Sequence, residues 1–183
     1  MQRREVVKFL GAALALPFIP RNAEAAIKLG ADLHRRLADV PFRTLNPDQQ
    51  KLVTMIAEMI IPRTDTPGAT DVKVPEFIDL ILTEWASDDE RNAFLAGLND
   101  MDVQAVAMGS PRFLELTEVK RGEFLTGLDA KRPQKIGAAH AFDRIKTLTV
   151  YGYFTSEPVQ VDVLETQMFF NGYDGNVPFT PRV

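Results

Sequence analysis

The chain of 183 residues contains no cysteine. That excludes structural disulfides, thiolate zinc sites, iron–sulfur clusters and covalent c-type haem attachment. In an oxidising compartment the fold has to hold by burial alone, which a domain of this length can do. Histidine is scarce, with only His34 and His140. There is no H-E-x-x-H pair, no G-x-G-x-x-G after a strand, no G-x-S-x-G elbow and no P-loop. The body of the chain holds no basic run, and the formal net charge is −4. Nucleic acid as a partner is therefore excluded, because it needs clustered Lys and Arg to displace counterions. Long apolar runs are missing too. Phe9 to Phe18 is too short for a permanent bilayer-spanning helix, which takes about 20 residues.

What remains is ordinary globular material: 45% hydrophobic residues, 25% charged, and 12 Phe to build a core. The length suits one domain.

The N-terminus reads as a three-part signal over residues 1–25. Arg3, Arg4 and Lys8 form its positive region, and Phe9 to Phe18 its apolar region. Ala23-Glu24-Ala25 places small residues where a signal peptidase reads them, so cleavage is expected between Ala25 and Ala26. In "QRREVVKFLG" the paired arginines and the lysine match a twin-arginine address, while Val6 and Val7 are milder than the usual apolar pair. The alternative is a general secretory signal whose basic region happens to hold two arginines. Twin-arginine export moves folded proteins, most often because a cofactor is inserted beforehand, yet the chain shows no cofactor site.

Residues 26–183 read as one all-α domain of about five to six helices with a turn-rich tail. Residues 26–45 are a weakly amphipathic lead-in. "LNPDQQKLVTMIAEMIIP" opens a helix with Asn46 as cap, Pro47 at the first position and Gln49 closing a capping box. Leu52, Ile56, Met59 and Ile60 share its face. The stretch 62–75 is a polar loop with three prolines. Pro75 opens a helix carrying Phe77, Ile78, Ile81, Leu82 and Trp85 on an apolar stripe. Ser87 and Glu90 form a second capping box ahead of Phe94, Leu98 and Met101. A short helix near Phe113 and a helix capped by Thr117 follow. The last long helix spans 134–152, with Ala138, Ala141, Phe142, Ile145, Leu148 and Thr149 inward. Val159, Val161 and Val163 alternate, which allows a short strand.

The search for chemistry is mostly negative. His140 and Asp143 are three apart and can meet on one helix face, but a catalytic histidine needs a nucleophile or a metal beside it. A rim histidine with a neighbour on its own helix is the plainer reading. Asp88, Asp89 and Glu90 sit in a first helical turn, where acidic residues offset the macrodipole. The loop "RTDTPGATD" lacks the dense ligand alternation of a calcium loop; at its length a docking role suits it better. The aromatic residues of the tail stand out. Tyr151, Gly152, Tyr153 and Phe154 fall where the last helix is expected to end, followed by Phe170, Tyr173 and Phe179. Aromatics are enriched at protein interfaces, so these seven are the expected partner-binding residues. The other reading is that the tail folds back and completes the core.

Four stretches, "MIAEMIIPRTDTPGATDVKVPEFID", "FLAGLNDMD", "LTVYGYFTSEP" and "YDGNVPF", in that order after the signal, resemble the gluconate 2-dehydrogenase subunit 3 family. The resemblance implies a small subunit with no catalytic residues and no cofactor of its own. It implies a large partner that holds FAD and performs the oxidation, and in many complexes a multihaem cytochrome c subunit carrying haem c. The small subunit would supply the export signal to the twin-arginine translocase and help the flavoprotein mature. The complex would sit in the periplasm at the outer face of the cytoplasmic membrane. Many relatives carry a cysteine in the "YDGxVP" segment; this chain has Asn176, so no covalent tie to the partner forms there. Two rival readings are a stand-alone exported helical protein with a ligand in its own core, and a stand-alone enzyme built around His140.

Overall fold

The computed structural model describes residues 22–37, 41–131, 134 and 136–164. Among them are six α-helices: α1 (Ala23–Arg35), α2 (Pro47–Ile60), α3 (Val74–Glu84), α4 (Asp88–Ala107), α5 (Glu118–Lys131) and α6 (Gly137–Thr155). A 3₁₀ turn covers Phe113–Glu115, and a π-helical turn covers Val159–Val163. The all-α, single-domain expectation holds.

Local chemistry starts and stops most of these helices as the sequence reading expects. Asn46 Oδ1 accepts from the amides of Asp48 and Gln49 at 3.0 Å each, and the Gln49 side chain accepts from the Asn46 amide at 3.1 Å. Ser87 and Glu90 exchange the same pair of bonds at the head of α4. Gly109 follows α4 with φ +83°, a left-handed conformation that costs a glycine little. Helix α6 has no capping side chain of its own. Instead Asp100, on α4, accepts from the Ala138 amide at 2.8 Å, and Gly137 at φ +53° lets the chain turn into the helix there.

Helix α6 is the axis of the fold and packs against each of the other five helices. Its sequence says why. From Thr147 to Thr155 it carries no charge, and Tyr151 through Thr155 are all buried, so its last turn is covered on every side. Gly97 on α4 lets that helix come close: a Cβ there would lie 2.6 Å from the Gly137 carbonyl oxygen and 2.7 Å from the Ala141 Cβ. One core joins Val53, Ile56, Phe77, Ile81, Phe94, Met101 and Ile145 with α6.

Four expectations need correction. Most of a helix, α1, lies in the lead-in 26–45; it buries Ala26, Gly30 and Leu33 against the body, and the turn after it buries Leu37. Helix α6 continues past residue 152 to Thr155, so the YGYF stretch is helical throughout and forms the last turn of that helix. The alternating valines form no strand. Extended backbone needs a partner for its polar groups; here the bond is closed locally, with the Leu164 amide on the Val159 carbonyl at 2.9 Å. Val159 is buried while Val161 is 52% exposed, so the alternation reflects one side of a helical turn. Finally, Trp85 caps α3 and is 40% exposed, not a core residue. No helix among the described residues is long and apolar enough to cross a membrane.

Candidate functional site

The YGYF stretch is built into the centre of the molecule. Tyr151 is 0% exposed, Tyr153 4% and Phe154 3%, and Gly152 is buried. Tyr151, Gly152 and Tyr153 each receive a different segment of the chain.

The Tyr151 hydroxyl donates to the Ala26 carbonyl on α1 at 2.8 Å. Burial pushes this phenol above its ordinary pKa, so it remains a donor over the physiological range. Gly152 makes room for Phe77 of α3: a Cβ would lie 2.9 Å from the Phe77 Cδ1. The Phe77 ring meets Tyr151 edge-on at 5.7 Å and stacks on His34 at 4.8 Å. His34 Nε2 lies 2.7 Å from the Gly152 carbonyl oxygen, so that nitrogen carries the proton and donates. Burial lowers the His34 pKa to about 4, against a smaller opposing effect of that hydrogen bond, and the ring is neutral at pH 7. On α1, Gly30 sits directly on the Thr155 side chain, with no space for a Cβ.

The Tyr153 hydroxyl donates to the Pro67 carbonyl at 2.8 Å, and its ring meets Phe154 edge-on at 5.2 Å. This bond pins the polar loop 62–75 to α6. Glu58, near the end of α2, holds the same loop from the other side. Its carboxylate accepts from the Arg63 amide at 2.9 Å, the Thr70 amide at 3.1 Å and the Thr70 hydroxyl at 2.7 Å. Desolvation works against the charge, but the bonds from Thr70 and Arg63 outweigh it and hold Glu58 below the usual carboxylate range. Asp71 accepts from the Gly68 amide at 2.8 Å and pairs with Arg63 at 3.1 Å. The loop is thus ordered, with Ala69 and Val72 buried and Arg63, Thr64 and Asp65 left exposed at its tip.

The sequence reading placed Tyr151, Gly152, Tyr153 and Phe154 at a partner interface. Their side chains face this chain's own core, because the last turn of α6, Tyr151 to Thr155, is buried throughout. Phe170, Tyr173 and Phe179 lie outside the described residues, as do Arg3, Arg4 and Lys8. Ala25 and Ala26 fall within α1. The residues that sequence reasoning missed are those that receive the motif, His34, Gly30 and Pro67; Phe77 was read as apolar core but not as the partner of Gly152. A signal for the first two was available, since Ala26, Gly30, Leu33 and Leu37 recur at helical spacing.

Elsewhere the chemistry is structural. Glu90 receives the Ser87 amide and lies 3.4 Å from Arg144 on α6; that hydrogen bond and the nearby guanidinium hold Glu90 below the usual range. His140 and Asp143 stand on the same helix, one turn and one residue from Arg144. Arg112 bridges Asp48 and Asp102 at 3.0 and 3.5 Å beside a pocket of about 110 Å³. Among the described residues no group of three His, Cys, Asp or Glu side chains is arranged to hold a metal ion.

Fold and site together define an all-α protein in which a four-residue helical motif acts as a structural hub, tying the N-terminal helix and a polar loop to the central helix. The family model for gluconate 2-dehydrogenase subunit 3 matches residues 47–172, which spans the loop, the hub and every helix after α1. The chain belongs to that family, and membership implies a catalytic partner subunit in a dehydrogenase complex of the gluconate type. No curated protein and no solved structure matches the chain.

Proposed function

We propose that this chain is the non-catalytic small subunit of a periplasmic FAD-dependent dehydrogenase acting on gluconate or a related sugar, and that it provides twin-arginine export and stabilises the flavoprotein during maturation. The observation that carries the reading is the family match over residues 47–172. It is supported by the twin-arginine pattern at Arg3 and Arg4 and by a body tied together through one buried hub, the kind of body a folded-protein translocase accepts. FAD would be bound by the partner, and a multihaem cytochrome c subunit would take the electrons onward. With the YGYF side chains buried, the exposed tip Arg63–Asp65 of the loop, held up by Glu58 and Tyr153, is the better candidate for contact with the flavoprotein.

The test is export. Changing Arg3 and Arg4 together to Lys should leave both this chain and the flavoprotein in the cytoplasm. Flavoprotein arriving in the periplasm at normal levels would refute the escort role. Co-purification of a yellow partner separates this reading from a stand-alone ligand-binding protein, which would purify colourless and alone.

A further inference from the structure

The bond read from the sequence as the signal-cleavage site is closed inside a docked helix. The Ala26 amide, the nitrogen of the scissile Ala25–Ala26 bond, donates to the Asn22 carbonyl at 2.9 Å and closes the first turn of α1. Asn22 caps that turn through its side chain, which accepts from the Glu24 amide at 2.9 Å. The Ala26 carbonyl accepts from the Tyr151 hydroxyl at 2.8 Å, and Ala26 is 2% exposed. The same helix is seated further along by Gly30 on Thr155, by the His34 bond to the Gly152 carbonyl and by the buried side chain of Leu33, with Leu37 buried in the turn that follows.

A protease needs several residues of free, exposed backbone around the bond it cuts, and backbone that is hydrogen-bonded and buried is protected until it opens. We propose that docking of α1 on α6 gates removal of the N-terminal segment: the folded chain keeps residues 1–25, and cleavage before Ala26 occurs only when α1 leaves the YGYF hub. The inference rests on the signal reading above, and it assigns Tyr151 and Gly30 a role in processing that the fold alone would not require. A chain exported in the folded state would therefore arrive with its N-terminal segment attached.

The experiment measures export and processing separately. The full chain is produced with its flavoprotein, the periplasmic and membrane fractions are collected, and the N-terminus is determined by intact mass. Failure of the chain to leave the cytoplasm would count against the signal reading itself. Given export, the proposal expects the wild-type chain to carry residues 1–25, and Gly30→Leu, which cannot seat against Thr155, to be cut before Ala26. Tyr151→Phe, a milder change that removes only the hydroxyl, should be cut to an intermediate extent and guards against a Gly30 variant that does not fold. In a purified reaction, signal peptidase should cut the folded full chain at least roughly a hundredfold more slowly than a peptide of residues 10–32, since cleavage then tracks the rare open state. Exported wild-type chain cleaved before Ala26 as completely as the variants would overturn the proposal. So would an uncut peptide, because the bond would then be resistant without any help from docking.

Discussion

Tyr153→Ala separates a core residue from a partner anchor. The side chain is 4% exposed, meets Phe154 edge-on and holds the Pro67 carbonyl at 2.8 Å. Truncating a buried aromatic costs about 3–5 kcal/mol through lost burial and the cavity left behind. For a chain of this length each kcal/mol moves the melting temperature by about 2–4 °C, so a loss near the middle of that range lowers it by roughly 8–16 °C. Tyr153→Phe keeps the ring and removes only the hydroxyl. It should cost about 1 kcal/mol, the usual net worth of one hydrogen bond, and should loosen the 62–75 loop selectively. The assay is thermal unfolding of the isolated full chain followed by circular dichroism, paired with pull-down of the flavoprotein. Tyr153→Ala should fail in both, and Tyr153→Phe should melt almost normally. Its pull-down should weaken only if the loop tip is the docking surface. A Tyr153→Ala chain that melts within about 2 °C of wild type while losing its partner would refute the core assignment, since no buried aromatic is removed at so little cost.

Two further outcomes follow from the same geometry. His34 has a pKa of about 4 when folded against 6.5 when free, so the folded state binds fewer protons. Its contribution is whole above pH 6.5, declines as pH falls below that, and is lost by about pH 4, with an upper bound of about 3 kcal/mol. The difference in melting temperature between wild type and His34→Gln, measured from pH 7.5 to 4.5, should track that window; a constant difference would contradict it. Asp79 on α3 is 2% exposed and accepts from the amides of Arg43, Thr44 and Leu45 at 2.8, 3.0 and 2.8 Å, strapping the segment before α2 to the core. Asp79→Ala leaves three amides without this acceptor and should cost at least about 3 kcal/mol, with Asp79→Asn milder because one oxygen remains. Chemical denaturation of the two variants checks the order.

The elements with local causes were legible in the residues themselves. Asn46 with Gln49, Ser87 with Glu90, Pro47 and Gly109 act on their immediate neighbours, so the helices they start and stop can be placed from sequence. The apolar faces of α2 to α6 repeat at helical spacing for the same reason, and the family stretches identify the chain. Other features depend on what lies across the core. Helix α6 begins where Asp100 of another helix caps it, 38 residues away in sequence. The weak pattern Ala26, Gly30, Leu33 and Leu37 becomes a stable helix only because Tyr151, Gly152 and Thr155 receive it. An aromatic cluster carries the same composition whether it faces a partner or its own core. The side that Tyr151, Tyr153 and Phe154 face was decided by α1, Phe77 and the 62–75 loop closing around α6, since burial belongs to the assembled surfaces and not to any one segment.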